Sequence, residues 1–137
     1  MAKKLTIICS SNDFERVYAA FNIANGAASF GMDVTIFFTF WGLEAIKKDG
    51  LKNITLSKKD YLGIGSRFMK KKMKEKNVPL LQEQFDDLRE LGVKMIACDM
   101  SMEIMGIKKE DFVDDVEVAG IGTYINTAKD SEINLFI

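Results

Sequence analysis

A chain of 137 residues with 47% hydrophobic and 28% charged side chains has the balance of one soluble globular domain, with room for one core. Its net charge of −1 supplies no field that would favour nucleic acid or an anionic membrane. The absence of histidine excludes Ser-His-Asp and Cys-His catalysis and imidazole metal sites, and the two widely spaced cysteines, with no CxxC, exclude a zinc ribbon and argue against a disulfide framework.

The two lysines at the start precede an apolar run, Leu5 to Cys9, that is too short for a signal-peptide core. No stretch reaches the ~18 apolar residues of a membrane span, so a cytoplasmic location is expected. Lys4 to Cys9 is β-branched and apolar on both faces, which predicts a strand covered on both sides. Ser10 to Asp13 reads as a loop, in which Asn12 with Glu15 three residues on has the form of a capping box. Phe14, Val17, Tyr18, Phe21, Ala24 and Ala28 then follow helical spacing, and Gly31 closes the helix at its C′ position. The run Asn25 to Ser29 is unusually small. A mid-helix glycine such as Gly26 costs ~1 kcal/mol against alanine, which suggests a close backbone contact with the sheet or a neighbouring subunit.

Asp33 to Phe38 predicts a second strand and so a βαβ unit with a right-handed crossover. Thr39 to Gly42 lies at its carboxyl end, and Leu43 to Lys48 makes a short helical turn. Residues 49–79 carry the weakest pattern, punctuated by Gly50, Gly63, Gly65 and Pro79. Within them RFMKKKMKEK, residues 67–76, reads as helical with little apolar face. Its basic side chains, Arg67, Lys70, Lys71, Lys72, Lys74 and Lys76, form a solvated surface or a docking element for an acidic partner. Leu80 to Leu91 is a helix stopped by Gly92, Val93 to Cys98 a buried strand, Asp99 to Met105 a short helix and Lys108 to Val113 a turn. Val116 to Ala119 and Ile133 to Ile137 complete the strands, with a helix over 120–129 between them. The alternation predicts a single α/β domain with a mostly parallel sheet of about five strands.

In open α/β sheets ligands bind outside the carboxyl ends of the strands. Those ends are Cys9-Ser-Ser-Asn, Thr39-Phe-Trp-Gly, Cys98-Asp-Met-Ser and Gly120-Ile-Gly-Thr, so both thiols lie on this edge. Cys98 directly precedes a predicted helix, whose N–H groups favour a thiolate; Asp99 opposes this unless its carboxylate is engaged in capping. A buried strand-end cysteine is the competing reading. Met100, Met102 and Met105 are core filler or a polarizable wall around a sulfur nucleophile. Phe37, Phe38, Phe40 and Trp41 belong in the core by burial preference, although Trp41, beyond the strand end, also suits a pocket or an oligomer interface. The Cys9–Asp13 and Gly120–Thr123 loops are weak phosphate cradles, because Asp13 opposes an anion and no GxGxxG is present.

Three blocks, AAFNIANGAASFGMDVTIFFTFWGL (19–43), GVKMIACDMSMEIMGI (92–107) and VEVAGIGTYI (116–125), resemble the DsrE/DsrF/DsrH-like sulfur-relay family, in its stand-alone DsrE-like branch. The resemblance spans nearly the whole chain, 1–137, with 67–76 a variable region onto which nothing transfers. It implies a three-layer α/β/α sandwich, a homo-oligomer (a trimer or a multiple), and a cysteine that carries sulfane sulfur as a persulfide. The matching cysteine is Cys98, with Cys9, Asp99, Ser101, Met102, Trp41, Gly120 and Gly122 as candidate accessory residues; Cys9 lies outside the family pattern. The implied function is a sulfur carrier or sulfurtransferase that exchanges sulfur with donor and acceptor proteins and needs no metal or organic cofactor. Two rivals stand beside it: a nucleotide- or flavin-binding module built on the two loops, and a non-catalytic assembly subunit. Strand order decides whether Cys9 can help. Adjacent strands lie ~4.8 Å apart and a disulfide needs Cα atoms within ~7 Å, so an intervening strand, the arrangement expected here, separates the thiols.

Overall fold

The computed structural model describes residues 2–56 and 64–137. Strands β1 (Lys4–Cys9), β2 (Asp33–Phe38), β3 (Lys94–Cys98), β4 (Val116–Ala119) and β5 (Ile133–Phe136) pair in the order β4-β3-β2-β1-β5, every pair parallel. Helices α1 (Phe14–Ser29), α2 (Ile64–Glu75), α3 (Leu81–Glu90), α4 (Asp99–Met105) and α5 (Ile121–Ala128) connect them, with 3-10 turns at Phe40–Ile46, Gly50–Asn53 and Lys109–Asp111. Of the weakly patterned stretch, Gly63 and the rest of residues 57–63 lie outside the described residues. The basic run 67–76 falls mostly on α2, which buries Met73 and leaves Ile64 and Phe68 exposed.

The order of the strands sets the layers. From β1 through β2 and β3 to β4 the chain steps in one direction, so right-handed crossovers place the intervening helices on one face. The step from β4 to β5 runs back across the whole sheet, and α5 lies on the other face. Alternation along each strand divides the side chains accordingly. Leu5, Ile7, Cys9, Ile36, Phe38, Met95 and Ala97 enter the larger core with Val17 and Phe21 of α1 and Phe85 and Leu88 of α3. Phe37, Ile96 and Cys98 face the other way and pack with Tyr124 of α5. The result is a three-layer α/β/α arrangement whose third layer is α5. No described helix is long and apolar enough to cross a membrane.

Helix α1 departs from the sequence reading at its start and at Gly26. The expected capping box on Asn12 is not formed: Asp13 is the N-cap and makes no side-chain cap bond. A bridge between Asp13 and Thr55 fixes the entry instead, with the Phe14 N–H donating to the Thr55 carbonyl at 2.8 Å and the Asp13 N–H to Ser11 Oγ at 2.9 Å. At the far end Gly31 adopts φ +82°, and the Gly31 and Met32 N–H groups donate to the Ala28 and Ala27 carbonyls at 3.0 and 3.1 Å. That is the Schellman closure expected of a glycine at C′. Gly26 makes no close contact with the sheet: it is exposed, and a Cβ added there would meet nothing within 4 Å. The reason is helical phase, since Val17, Ala20 and Ala24 form the buried stripe and position 26 lies off it.

Candidate functional site

At the carboxyl edge the chain after β2 turns across the end of β1. The Thr39 N–H donates to the Cys9 carbonyl at 3.0 Å, and Gly42 sits so close that a Cβ would lie 2.1 Å from the same oxygen. Only glycine fits this approach. Phe40, expected in the core, has φ +47° and is exposed, because this tight turn rotates it away from the sheet; Trp41 beside it is 62% exposed. Phe37 and Phe38 are buried as their burial preference predicts.

Cys98 ends β3 and is the N-cap of α4. Its side chain is 4% exposed, among Phe37, Ile96 and Tyr124, with Ala119 packed against the group. Asp99 is engaged locally: its Oδ1 accepts the Met100 N–H at 2.6 Å. Both its carboxylate oxygens lie 3.5 Å from where a Gly120 Cβ would stand, which places the acid in van der Waals reach of the start of α5. Ser101 is fully buried, and its Oγ lies 2.8 Å from Thr39 Oγ1, which ties α4 to the turn that carries Trp41.

The methionines divide. Met102 packs into the larger core, Met105 is partly buried against it, and Met100 is exposed. Gly122 is exposed with open space around it. The fold therefore brings Cys98, Asp99, Ser101 and Gly120 together and holds Trp41 on the same edge, while Met102, Gly122 and Cys9 stand apart from the thiol.

Cys9 is sealed on the opposite face. Burial pushes its thiol up to about 11, with a backbone hydrogen bond at Ser11 pulling weakly the other way, and its Sγ lies 3.6 Å from the Ser11 carbonyl oxygen. Cys9 pairs with Phe38 and Phe38 with Ala97, so β2 separates the two cysteine strands and Cys98, one residue further on, points to the other side. Two strand spacings amount to about 9.6 Å, beyond the ~7 Å limit for a disulfide. Both thiols are free.

Two residues escaped the sequence reading. Thr39 was visible only as the residue after a strand. Tyr124 sets its ring at a tilt to Phe37, centroids 5.4 Å apart, and holds its hydroxyl 3.3 Å from Thr6 Oγ1, which fixes α5 over the thiol. Its signal was a lone aromatic one turn into a short helix. Among the described residues no group of three or more Cys, Asp or Glu side chains is arranged to hold a metal ion.

A family model described as DsrE/DsrF/DrsH-like matches residues 1–55 and 49–136. The chain is 35% identical to the uncharacterized protein YrkE of Bacillus subtilis, across 98% of this chain and 97% of that one. It is 33% identical to the sulfur carrier protein DsrE2 of Allochromatium vinosum, across 98% of both. Among solved structures the ychN protein from E. coli superposes with a TM-score of 0.68 at 14% identity, covering 98% of this chain and 99% of that one. Protein MTH1491 from Methanobacterium thermoautotrophicum gives a TM-score of 0.64 at 14% identity, covering 97% and 98%. At that identity the structural likeness speaks to the fold alone.

Proposed function

The chain belongs to the DsrE/DsrF/DrsH-like family, and from that premise we propose that it is a cytoplasmic sulfur carrier with Cys98 as the carrying thiol. The observation that carries this reading is the placement of Cys98: a strand-end thiol at the carboxyl edge, directly before a helix, beneath the thin α5 layer. The similarity to a protein named as a sulfur carrier supports it. In the proposed cycle the Cys98 thiolate attacks the outer sulfur of a donor persulfide. A new S–S bond forms on Cys98, and the donor leaves as its thiolate. An acceptor thiolate then attacks the outer sulfur of Cys98–S–SH and releases the Cys98 thiolate. No electrons are gained or lost overall, and thiolate access governs the rate. Trp41, Met100 and Ile104, exposed around α4 and the adjoining turn, offer the donor and acceptor proteins an apolar contact.

A homo-oligomer, a trimer or a multiple, belongs to the same proposal. Ile121, Ile125 and Phe136 are 55%, 55% and 72% exposed on the side of the sheet that α5 alone covers, and a second copy would bury them.

The burial of Cys98 favours one second reading, an assembly subunit without chemistry. Intact mass after incubation with a sulfane-sulfur donor separates the two. Sulfur loading on Cys98 is expected to appear as a +32 Da adduct (the mass of one sulfur atom, ~32) that Cys98→Ser abolishes and Cys9→Ser retains. Equal loading of the two variants would remove Cys98 from the role, and no loading on the parent would leave the assembly reading.

A further inference from the structure

A cleft that the sulfur chemistry does not use opens between α1, α2, α3 and the Gly50–Asn53 turn. It encloses about 230 Å³ over a floor of Phe14, Leu51, Ile54, Met73, Leu80 and Leu81, and Lys52, Lys70 and Lys74 stand on its rim. Among the described residues no carboxylate lines it. Lys52 is held by Asp49 at 3.3 Å, whereas Lys70 and Lys74 make no ion pair among the described residues. The nearby Glu83 is turned to the Leu80 N–H at 3.2 Å. Phe14 opens α1 just after β1, so the cleft belongs to the carboxyl edge, where α/β sheets place their ligands. It lies on the α1 and α3 face, away from the Cys98 thiol.

From this combination we propose that the cleft binds a small amphipathic anion, a medium-chain carboxylate. The apolar floor takes the tail, and Lys70 and Lys74 meet the head group. Size sets the class. At about 230 Å³ the cleft falls below the ~300–1,000 Å³ of pockets that bury drug-sized ligands, so it suits a short alkyl chain and would not enclose a nucleotide or flavin. Charge sets the head: Lys70 and Lys74, without an ion pair among the described residues, favour an anion beside the apolar floor and give a neutral chain no added affinity.

The test is calorimetric titration of the full chain with octanoate and with 1-octanol, repeated on the double variant Lys70→Glu/Lys74→Glu. Both lysines are exposed, so the variant is expected to fold, and circular dichroism checks it. Octanoate should bind the parent about tenfold more tightly than octanol, and the double variant should lose about tenfold for octanoate with octanol unchanged. Equal binding of the two ligands, unchanged octanoate binding in the variant, or no octanoate binding at millimolar concentration would each overturn the proposal. None of these outcomes bears on persulfide loading at Cys98.

Discussion

Replacing Gly42 with alanine probes the closest approach in the structure. The new Cβ would stand 2.1 Å from the Cys9 carbonyl oxygen and 2.9 Å from its carbon. Both are backbone atoms of β1, which is paired on one side to β2 and on the other to β5, so no side-chain rotation relieves the clash. The turn must retreat by about 1 Å, and the Thr39 N–H bond to the same oxygen, now 3.0 Å, is stretched or lost. Overpacking of this kind costs ~1–3 kcal/mol and a lost hydrogen bond adds ~1 kcal/mol. A loss of about 2–4 kcal/mol is expected, a large part of the ~5–15 kcal/mol that holds a domain together. Gly26→Ala is the matched control. The same methyl group enters open space in mid-helix, where alanine gains up to ~1 kcal/mol. Urea unfolding followed by far-ultraviolet circular dichroism, at equal protein concentration, measures both. A Gly42→Ala protein as stable as its parent would refute the close approach. A loss at Gly26 would refute the open-space reading and place a second chain against α1.

Cys9 makes stability depend on alkaline pH. Its thiol is raised from an ordinary 9.0 to about 11, so its stabilising contribution is complete below pH 9 and is lost as pH climbs towards 11. Two pH units correspond to about 3 kcal/mol, and Cys9→Ala should flatten stability across that window; an unchanged profile would contradict the buried thiol. Ser101→Ala leaves Thr39 Oγ1 without its partner at the end of β2 and should cost ~1–2 kcal/mol, whereas a thermal midpoint equal to the parent's would show that the pair is idle. Ile125→Glu with Phe136→Glu should reduce the proposed homo-oligomer to a monomer in light scattering, and a parent that already scatters as a single chain would reject the oligomer.

The strands and helices were legible because each imposes its own period on the apolar residues. The order of the strands was not, since a right-handed crossover says which face a helix takes only after the direction of the next strand is known. Local chemistry misled at Asn12 and at Phe40, as it did at Gly26. Asn12 with Glu15 satisfies a capping pattern, but the backbone bridge from Asp13 to Thr55, 42 positions away, sets the start of α1 one residue later. Phe40 reads as core by composition, yet the left-handed turn that lets Gly42 meet Cys9 faces it outward. The Ser101–Thr39 pair spans 62 positions, and no local pattern reports such a contact. The thiols themselves were legible as edge residues, but their faces follow from the register Cys9–Phe38–Ala97.

That register, with the single reversal of direction between β4 and β5, explains why two similar strand-end thiols have different prospects. Cys9 lies in the larger core under a helical layer in which α1 and α3 pack together, and opening it would disturb most of the domain. Cys98 lies under α5 alone. A helix of 8 residues is about 12 Å long and ~10 Å across, while five strands at ~4.8 Å spacing span about 19 Å. One such helix shields about half of that width, and Phe136 of β5 is left exposed on that face. Small displacements of α5, held through Tyr124 against Phe37 and Thr6, are therefore expected to uncover Cys98 without opening the main core. The asymmetry comes from the connection and not from the residues beside either cysteine. Tyr124→Phe tests it by removing the Thr6 contact while keeping the ring: Cys98 should alkylate faster in the variant with Cys9 unaffected. Equal acceleration of both thiols would show that access comes from opening of the whole domain.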